Sequence, residues 1–330
     1  MIRLALAALA ACLVFTTPVQ AKSPLDPLAE QYVKLSLEIG EKEDGYIDAF
    51  YGPAEWQAAA KVAPRDLPAL KAEVAALSLA VTRIKPGWLV AEEKRRRVFL
   101  LAQLKAAETR LRMMSGETLS FEDEAEGLFG VRPVLKPLSA YDPVLKEIEA
   151  LVPGEGPLWQ RVDTFSDRFI IPPDRLQAVM DAAIAECRKR TAAHIALSTD
   201  ERFTLEFVTG KSWSGYNWYK GGATSLIQIN TDLPVRLSRA VDLGCHEGYP
   251  GHHVLNMLLE ERLTKARGWV EFSVYPLYSP QSLIAEGSAN YGIDLAFPGD
   301  EKRAFEAAVL YPLAGLDPKD AARYDALLEA

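Results

Sequence analysis

Apolar positions recur every three or four residues along most of this chain, a period that predicts a mainly helical protein. Leu28, Tyr32, Leu35 and Ile39 share one face of a helix over 28–43. Two long amphipathic stretches, 66–84 and 91–114, are separated by Pro86-Gly87 and predict an αα-hairpin. Residues 133–157 are proline-rich and read as short helices and loops. Pro172-Pro173-Asp174 opens a further helix over 176–196. After Asp200 the period falls to two, so 203–208 and 225–230 read as strands, with the aromatic run of Trp213, Tyr216, Trp218 and Tyr219 between them. That run reads first as packing and second as a substrate shelf. Helical patterns return over 235–248, 252–265, 281–297, 300–310 and 318–328. The expectation is a mainly α, multi-helix domain over 22–330. Residues 22–199 form its scaffold, and 200–330 form a core with a small β-element before the helix that begins near Pro234.

Composition changes this picture little. The chain has 330 residues, 49% of them hydrophobic and 25% charged, which suits a globular protein. Its formal net charge is −8, the reverse of the basic surplus that marks a nucleic-acid binder. The N-terminus reads as a signal peptide over 1–21: Arg3 is followed by an apolar run over 4–15, and Val19-Gln20-Ala21 suits a cleavage site. The run of about a dozen residues is too short to span a bilayer, and no later stretch of the sequence is long and apolar enough either. Leu9-Ala10-Ala11-Cys12 also resembles a lipoprotein box, a rival in which Cys12 is lipidated. The expected location is therefore periplasmic or secreted. Cys187 and Cys245 remain in the mature chain. An exported protein has the chance to pair them, but both read more simply as small buried hydrophobes.

The candidate chemistry lies in one short segment. Of four histidines, three fall within the eight residues His246-Glu247-Gly248-Tyr249-Pro250-Gly251-His252-His253. Imidazole is a common zinc ligand, and zinc also accepts carboxylate oxygen. In the H-E-x-x-H motif, the spacing of four sets both histidines on one helix face, with the glutamate beside them as general base. Here position 250 is proline, and the next histidines stand six and seven residues beyond His246. At about 100° per residue, His252 falls on the wrong face of an unbroken helix, and His253 returns to the right face roughly 10 Å too far along. A two-residue bulge at Pro250-Gly251 would carry His252 to the second ligand position, leaving His253 beside the metal or the substrate. His253 stays a rival for that position. The third ligand is expected to be Glu286, a lone acid among small and apolar residues of a later helix. Glu260 and Glu261 are rivals that read as a solvated face.

These residues carry a specific resemblance. HEGYPGHH at 246–253 and EGSANY at 286–291 resemble the domain-of-unknown-function 885 family, whose hallmark is H-E-x-x-P-G-H-H followed by E-G-x-A-x-Y. Residues 227–234 (IQINTDLP) fit that family's strand leading into the motif helix, and the similarity covers about residues 200–297. The family resembles helical zinc peptidases of the thimet oligopeptidase and Taq carboxypeptidase type. That implies a gluzincin-like core with one zinc held by His246, His252 or His253, and Glu286, and with Glu247 as base. In one departure from those peptidases, no histidine follows Glu286 to hold an oxyanion.

The expected function is zinc-dependent hydrolysis of peptide-type amide bonds, including those of cell-wall or modified peptides. The alternative is a non-catalytic periplasmic protein that keeps the fold and binds a metal or ligand. Tyr219, Gln228, Asn230 and Tyr291 are candidates for substrate contact. The open edge of the strand over 225–230 would hold the substrate backbone by β-addition. Tyr249 and Tyr291 also read as packing residues, and His194 as a surface or satisfied histidine.

Overall fold

The computed structural model describes residues 23–330, so the signal-peptide reading and Cys12 lie outside the described residues. Helix α1 (Asp26–Gly40) buries Tyr32, Leu35 and Ile39 of the predicted stripe, with Ala29, Val33 and Leu37 beside them, and leaves Leu28 partly buried. Strand β1 (Ile47–Phe50) and helix α2 (Ala54–Val62) follow. The expected hairpin is α3 (Leu67–Arg83) with α4 (Ala91–Met114), and α3 packs on both α4 and α1. Its start is encoded locally: the Asp66 carboxylate accepts the Ala69 N–H at 2.8 Å, and Pro68 sits in the first turn. Helix α5 (Phe121–Phe129) begins at the Ser120 cap and ends at Gly130, whose φ of 74° suits the left-handed turn that closes the helix. The proline-rich region carries α6 (Asp142–Leu151) and α7 (Leu158–Ser166), and α8 (Pro173–Ala192) follows the Pro-Pro-Asp start.

Three strands come next: β2 (Arg202–Val208), β3 (Gly215–Gly221) and β4 (Thr224–Asn230). Their order is β2-β4-β3, with β2 parallel and β3 antiparallel to β4. The aromatic run is thus largely a strand. Helix α9 (Ser238–Leu243) widens into a π-type turn over Gly244–Gly248, and α10 (His252–Leu259) follows after a break. The Pro- and Tyr-rich connection forms β5 (Val274–Pro276), which pairs antiparallel with β1 two hundred residues earlier. Helix α11 (Pro280–Ala296) is capped by Ser279, and α12 (Glu301–Phe305), α13 (Tyr311–Ala314) and α14 (Ala321–Glu329) close the chain. The protein is mainly helical with small sheets. No helix among the described residues is long and apolar enough to cross a membrane.

Two hydrophobic cores organise these elements. One gathers α1, α3 and α4 around Tyr32, Leu70, Leu77, Leu100 and Leu104. The other gathers α8, α9, α10 and the C-terminal helices around Val179, Met180, Val241, Tyr311 and Tyr324. The partition expected at residue 200 does not follow this packing. Helices α7 and α8 carry residues of the C-terminal core, and α8 lies directly on the motif helix. The fully buried Arg96 of α4 bonds Glu271, also fully buried, and Asp26, which ties the 270–274 segment, whose Val270 and Val274 pack in the first core, to α1 and α4.

The cysteines correct an expectation. Cys187 of α8 and Cys245 of the π-type turn are buried, as expected, but they form a disulfide across 58 residues of sequence. Helix α8 lies directly on the motif helix, which brings the two sulfurs together.

Candidate metal centre

The sequence HEGYPGHH does not fold as a bulged helix. The chain leaves helical geometry at Tyr249, passes through a cis Tyr249–Pro250 bond and starts α10 at His252. The break folds back tightly. The Gly251 N–H donates to the Cys245 carbonyl at 2.9 Å, and a Cβ at position 251 would lie 1.7 Å from the His246 carbonyl oxygen. Only glycine permits that approach. The first turn of α10 is thereby pressed against the last turn of the helix that carries His246.

This places His252, and not His253, beside His246: their Nε2 atoms are 3.1 Å apart. Glu286 arrives from α11, with one carboxylate oxygen 3.3 Å from Nε2 of His246 and the other 3.3 Å from Nε2 of His252. All three donors lie within 4.8 Å of one another. The Nδ1–H of His246 donates to the Asn290 side-chain oxygen at 3.0 Å, which leaves the Nε2 lone pair facing the cluster. Both histidines hold the Glu286 carboxyl far below its usual pKa, against the effect of its partial burial. Burial opposes protonation of His246, but Glu286 and Glu247 prevail and raise its pKa.

The donor set fits zinc. Ligand distances of about 2.0–2.1 Å in a tetrahedron require donor separations of roughly 3.3–3.4 Å; the two imidazole nitrogens stand 3.1 Å apart, each faces a different Glu286 oxygen at 3.3 Å, and one donor atom from each residue lies within 4.8 Å of the others. Two imidazoles and one carboxylate also match the ligand types of catalytic zinc sites, which leave a position open.

His253 faces the opposite way and is fully buried. Its Nδ1 lies 2.8 Å from Ser225 Oγ and its Nε2 lies 3.1 Å from Glu201, whose carboxylate also accepts from Tyr249 and Arg188. Burial acts to raise the Glu201 pKa, yet His253 and Arg188 hold it low. This network ties α10 to the strands. Tyr249 packs against it, as expected.

The cluster opens into a cavity of about 450 Å³. Glu247 lines it, almost fully buried, and burial pushes its carboxyl above the usual pKa. Its backbone carbonyl accepts from Asn217 of β3, which fixes the turn that carries it. Strand β3 supplies Gly215, Tyr216 and Asn217 to the wall, and its outer edge pairs with no strand. A Cβ on Gly215 would meet Leu243 at 2.7 Å and Glu247 at 3.2 Å, so glycine there lets the strand lie against the motif helix. Across the cavity, the Tyr216 hydroxyl donates to Asp48 of β1. Burial pushes the Asp48 carboxyl up to about 6 despite that bond.

Several candidates from the sequence stand elsewhere. Tyr219 is buried away from the cavity and donates to Glu260, which also receives the Gly222 N–H. Glu260 is therefore not on a solvated face: it satisfies the tight β3–β4 turn, where Gly221, Gly222 and Ala223 all have positive φ. Gln228 accepts from Trp218 and donates to Glu206, outside the cavity. Asn230 lines a neighbouring lobe and donates to the Lys211 carbonyl. Tyr291 is 62% exposed, neither packed nor lining the cavity. His194 is at the surface. Strand β4 is central and has no open edge; the free edge at the site belongs to β3.

Sequence reasoning missed Asp48, Asn217, Arg239 and Asn290. Only Asn290 carried a signal, one helical turn beyond Glu286 on the same face. No protein-family model, curated protein or solved structure matches the chain.

Proposed function

We propose that this protein is an exported, zinc-dependent hydrolase of peptide-type amide bonds, with His246, His252 and Glu286 as ligands and Glu247 as general base. The observation that carries the reading is the convergence of His246, His252 and Glu286, one donor atom from each lying within 4.8 Å of the others, on a cavity lined by an unbonded buried glutamate. Zinc bound there supplies Lewis acidity toward a carbonyl and lowers the pKa of water. Glu247 takes the proton from the attacking water and returns it to the leaving nitrogen; burial raises its pKa, which favours its acting as a proton acceptor and then donor. Asn290 fixes the tautomer of His246. The outer edge of β3 at Gly215–Asn217 aligns the substrate backbone by strand addition.

A strand edge along the cleft, a helix bearing His-Glu and a later helix bearing Glu together support the resemblance to helical zinc peptidases and a gluzincin-like core. The Cys187–Cys245 disulfide supports an oxidising compartment.

Zinc content and turnover on a peptide library separate the roles. Glu247→Gln should keep zinc and lose about 10²- to 10⁴-fold in rate, whereas Glu286→Gln should lose zinc and activity together. Equal zinc loss in both variants makes Glu247 a ligand. Zinc retention with no cleavage of any peptide or modified peptide favours a metal-binding protein without catalysis.

A further inference from the structure

The charges around the cavity do not balance evenly. Asp242, about one turn before His246 in the same helical run, lines the cavity, but its carboxylate is held at 2.7 Å by Lys302 from α12. Asp48 is engaged by Tyr216, and Glu286 by the two histidines. Arg239 differs. It lines the cavity from the first turn of α9, its side chain is 46% exposed, and its only protein bonds are long: 3.4 Å to Asp242 and 3.4 Å to Ser214. A guanidinium has five N–H donors, so most of its capacity is unused. Lys302 holds Asp242 more closely than Arg239 does, so Arg239 keeps most of its donors free for a ligand at the edge of the cleft, while Glu247 is the unbonded acid deeper in it.

Its position adds a second observation. Arg239 also lines an adjoining lobe of about 370 Å³, shared with Trp213, Ser214 and Leu243, whose other cation is Lys211. The acid of that lobe, Asp232, is committed to the backbone N–H groups of Gly210 and Lys211. The lobe is therefore positive within a chain of net charge −8. Arg239 and His246 are seven residues apart in one helical run and both line the cavity, about 10 Å apart along the axis.

We propose that Arg239 is the substrate-carboxylate anchor, holding an anionic group of a peptide in the lobe next to the zinc site. This rests on the hydrolase reading for what happens to the peptide, but not for its binding. The planar fork of arginine pairs a carboxylate through two parallel N–H···O bonds. An extended chain covers about 3.3–3.6 Å per residue, so an anchor about 10 Å from His246 sets the carboxylate one to three residues from the cleaved bond. Trp213 supplies the apolar wall for the residue that bears it.

Binding to Glu247→Gln protein tests this without relying on turnover. Acetyl-dialanine and acetyl-trialanine are titrated as free acids and as C-terminal amides, and the same peptides with an internal Asp or Asn form a second arm, read by calorimetry and by Trp fluorescence. One acid of an acid–neutral pair should bind at least tenfold tighter than its neutral partner, and the arm in which it does identifies a terminal or a side-chain carboxylate. Adding Arg239→Gln should abolish the preference, and Arg239→Lys should restore part of it. Equal binding of acids and neutral partners in both arms, or a preference that survives Arg239→Gln, overturns the proposal. A preference that depends on Arg239 in a protein whose parent cleaves none of these peptides leaves the anchor standing and removes the hydrolase reading instead.

Discussion

Replacing Cys187 and Cys245 together by alanine tests whether the motif helix is held in place from outside. The disulfide closes a loop across 58 residues. In the chain-entropy description, a loop of that length stabilises the folded state by about 4 kcal/mol relative to the open chain. Unfolding entropy scales at roughly 2 cal/mol/K per residue, so for a chain of this size the loss should lower Tm by about 6 °C. The effect is also local. Cys245 precedes His246 in the π-type turn, and the bridge pins that turn to α8. Zinc affinity should then fall by about tenfold, in the range seen when residues that orient metal ligands are lost. Calorimetry of the metal-free protein gives the first number, and zinc titration against a competing chelator gives the second. A thiol assay on the denatured, unreduced parent must first show no free thiol. Two free thiols in the parent, or a Tm within about 1 °C of it in the variant, would refute the bridge. A normal Tm loss with unchanged zinc affinity would confine its role to stability.

Two further outcomes follow from the geometry. His252→Ala should lose zinc with little change in the stability of the metal-free protein, while His253→Ala should keep zinc but lose about 2–4 kcal/mol, because it leaves Glu201 and Ser225 without their buried partner; zinc analysis and chemical denaturation decide, and the reverse pattern exchanges the two assignments. Glu306 is buried with one carboxylate oxygen unbonded, and burial, opposed by Lys302, pushes its pKa up to about 7 from the usual 4.5. The folded state thus binds the proton more tightly than the unfolded chain, so stability falls as pH rises from 4.5 to 7 and levels off above; Glu306→Gln should stabilise by up to about 3 kcal/mol at pH 8 and by little at pH 5, and equal Tm shifts at the two pH values would show that burial of its charge is not the cause.

The helices were legible because their burial is periodic. The stripe of α1, the Asp66 cap of α3 and the Ser279-Pro280 start of α11 each follow from residues within one or two turns. The π-type turn and the break after it were not. Proline and glycine at 250 and 251 announce an interruption, but whether the chain bulges or stops and restarts depends on how closely α10 returns to His246. The Gly251 contact with the His246 carbonyl decides that, and it is visible only in three dimensions. The bulge argument nonetheless favoured His252, because any interruption that shortens the path to the second ligand selects the nearer histidine.

What the sequence concealed lies across long separations. Strand β1 carries Asp48 to the cavity only because β5, more than two hundred residues later, pairs with it, and neither segment has the alternation that marks a strand. The edge that lines the cleft was misplaced for a related reason. The segment 225–230 alternates because one of its faces is buried, and the edge strand β2 alternates in the same way; alternation reports a buried face and says nothing of which edge is open, whereas β3 mixes large aromatics and glycines where it lies beside the motif helix. Two residues of β3 shape the cavity wall: Gly215, whose missing side chain admits Glu247 and Leu243, and Tyr216, whose hydroxyl bonds Asp48. The same reasoning applies to Arg239, which stands in an ordinary helical pattern and is set apart only by the partners that its neighbour Asp242 has found elsewhere.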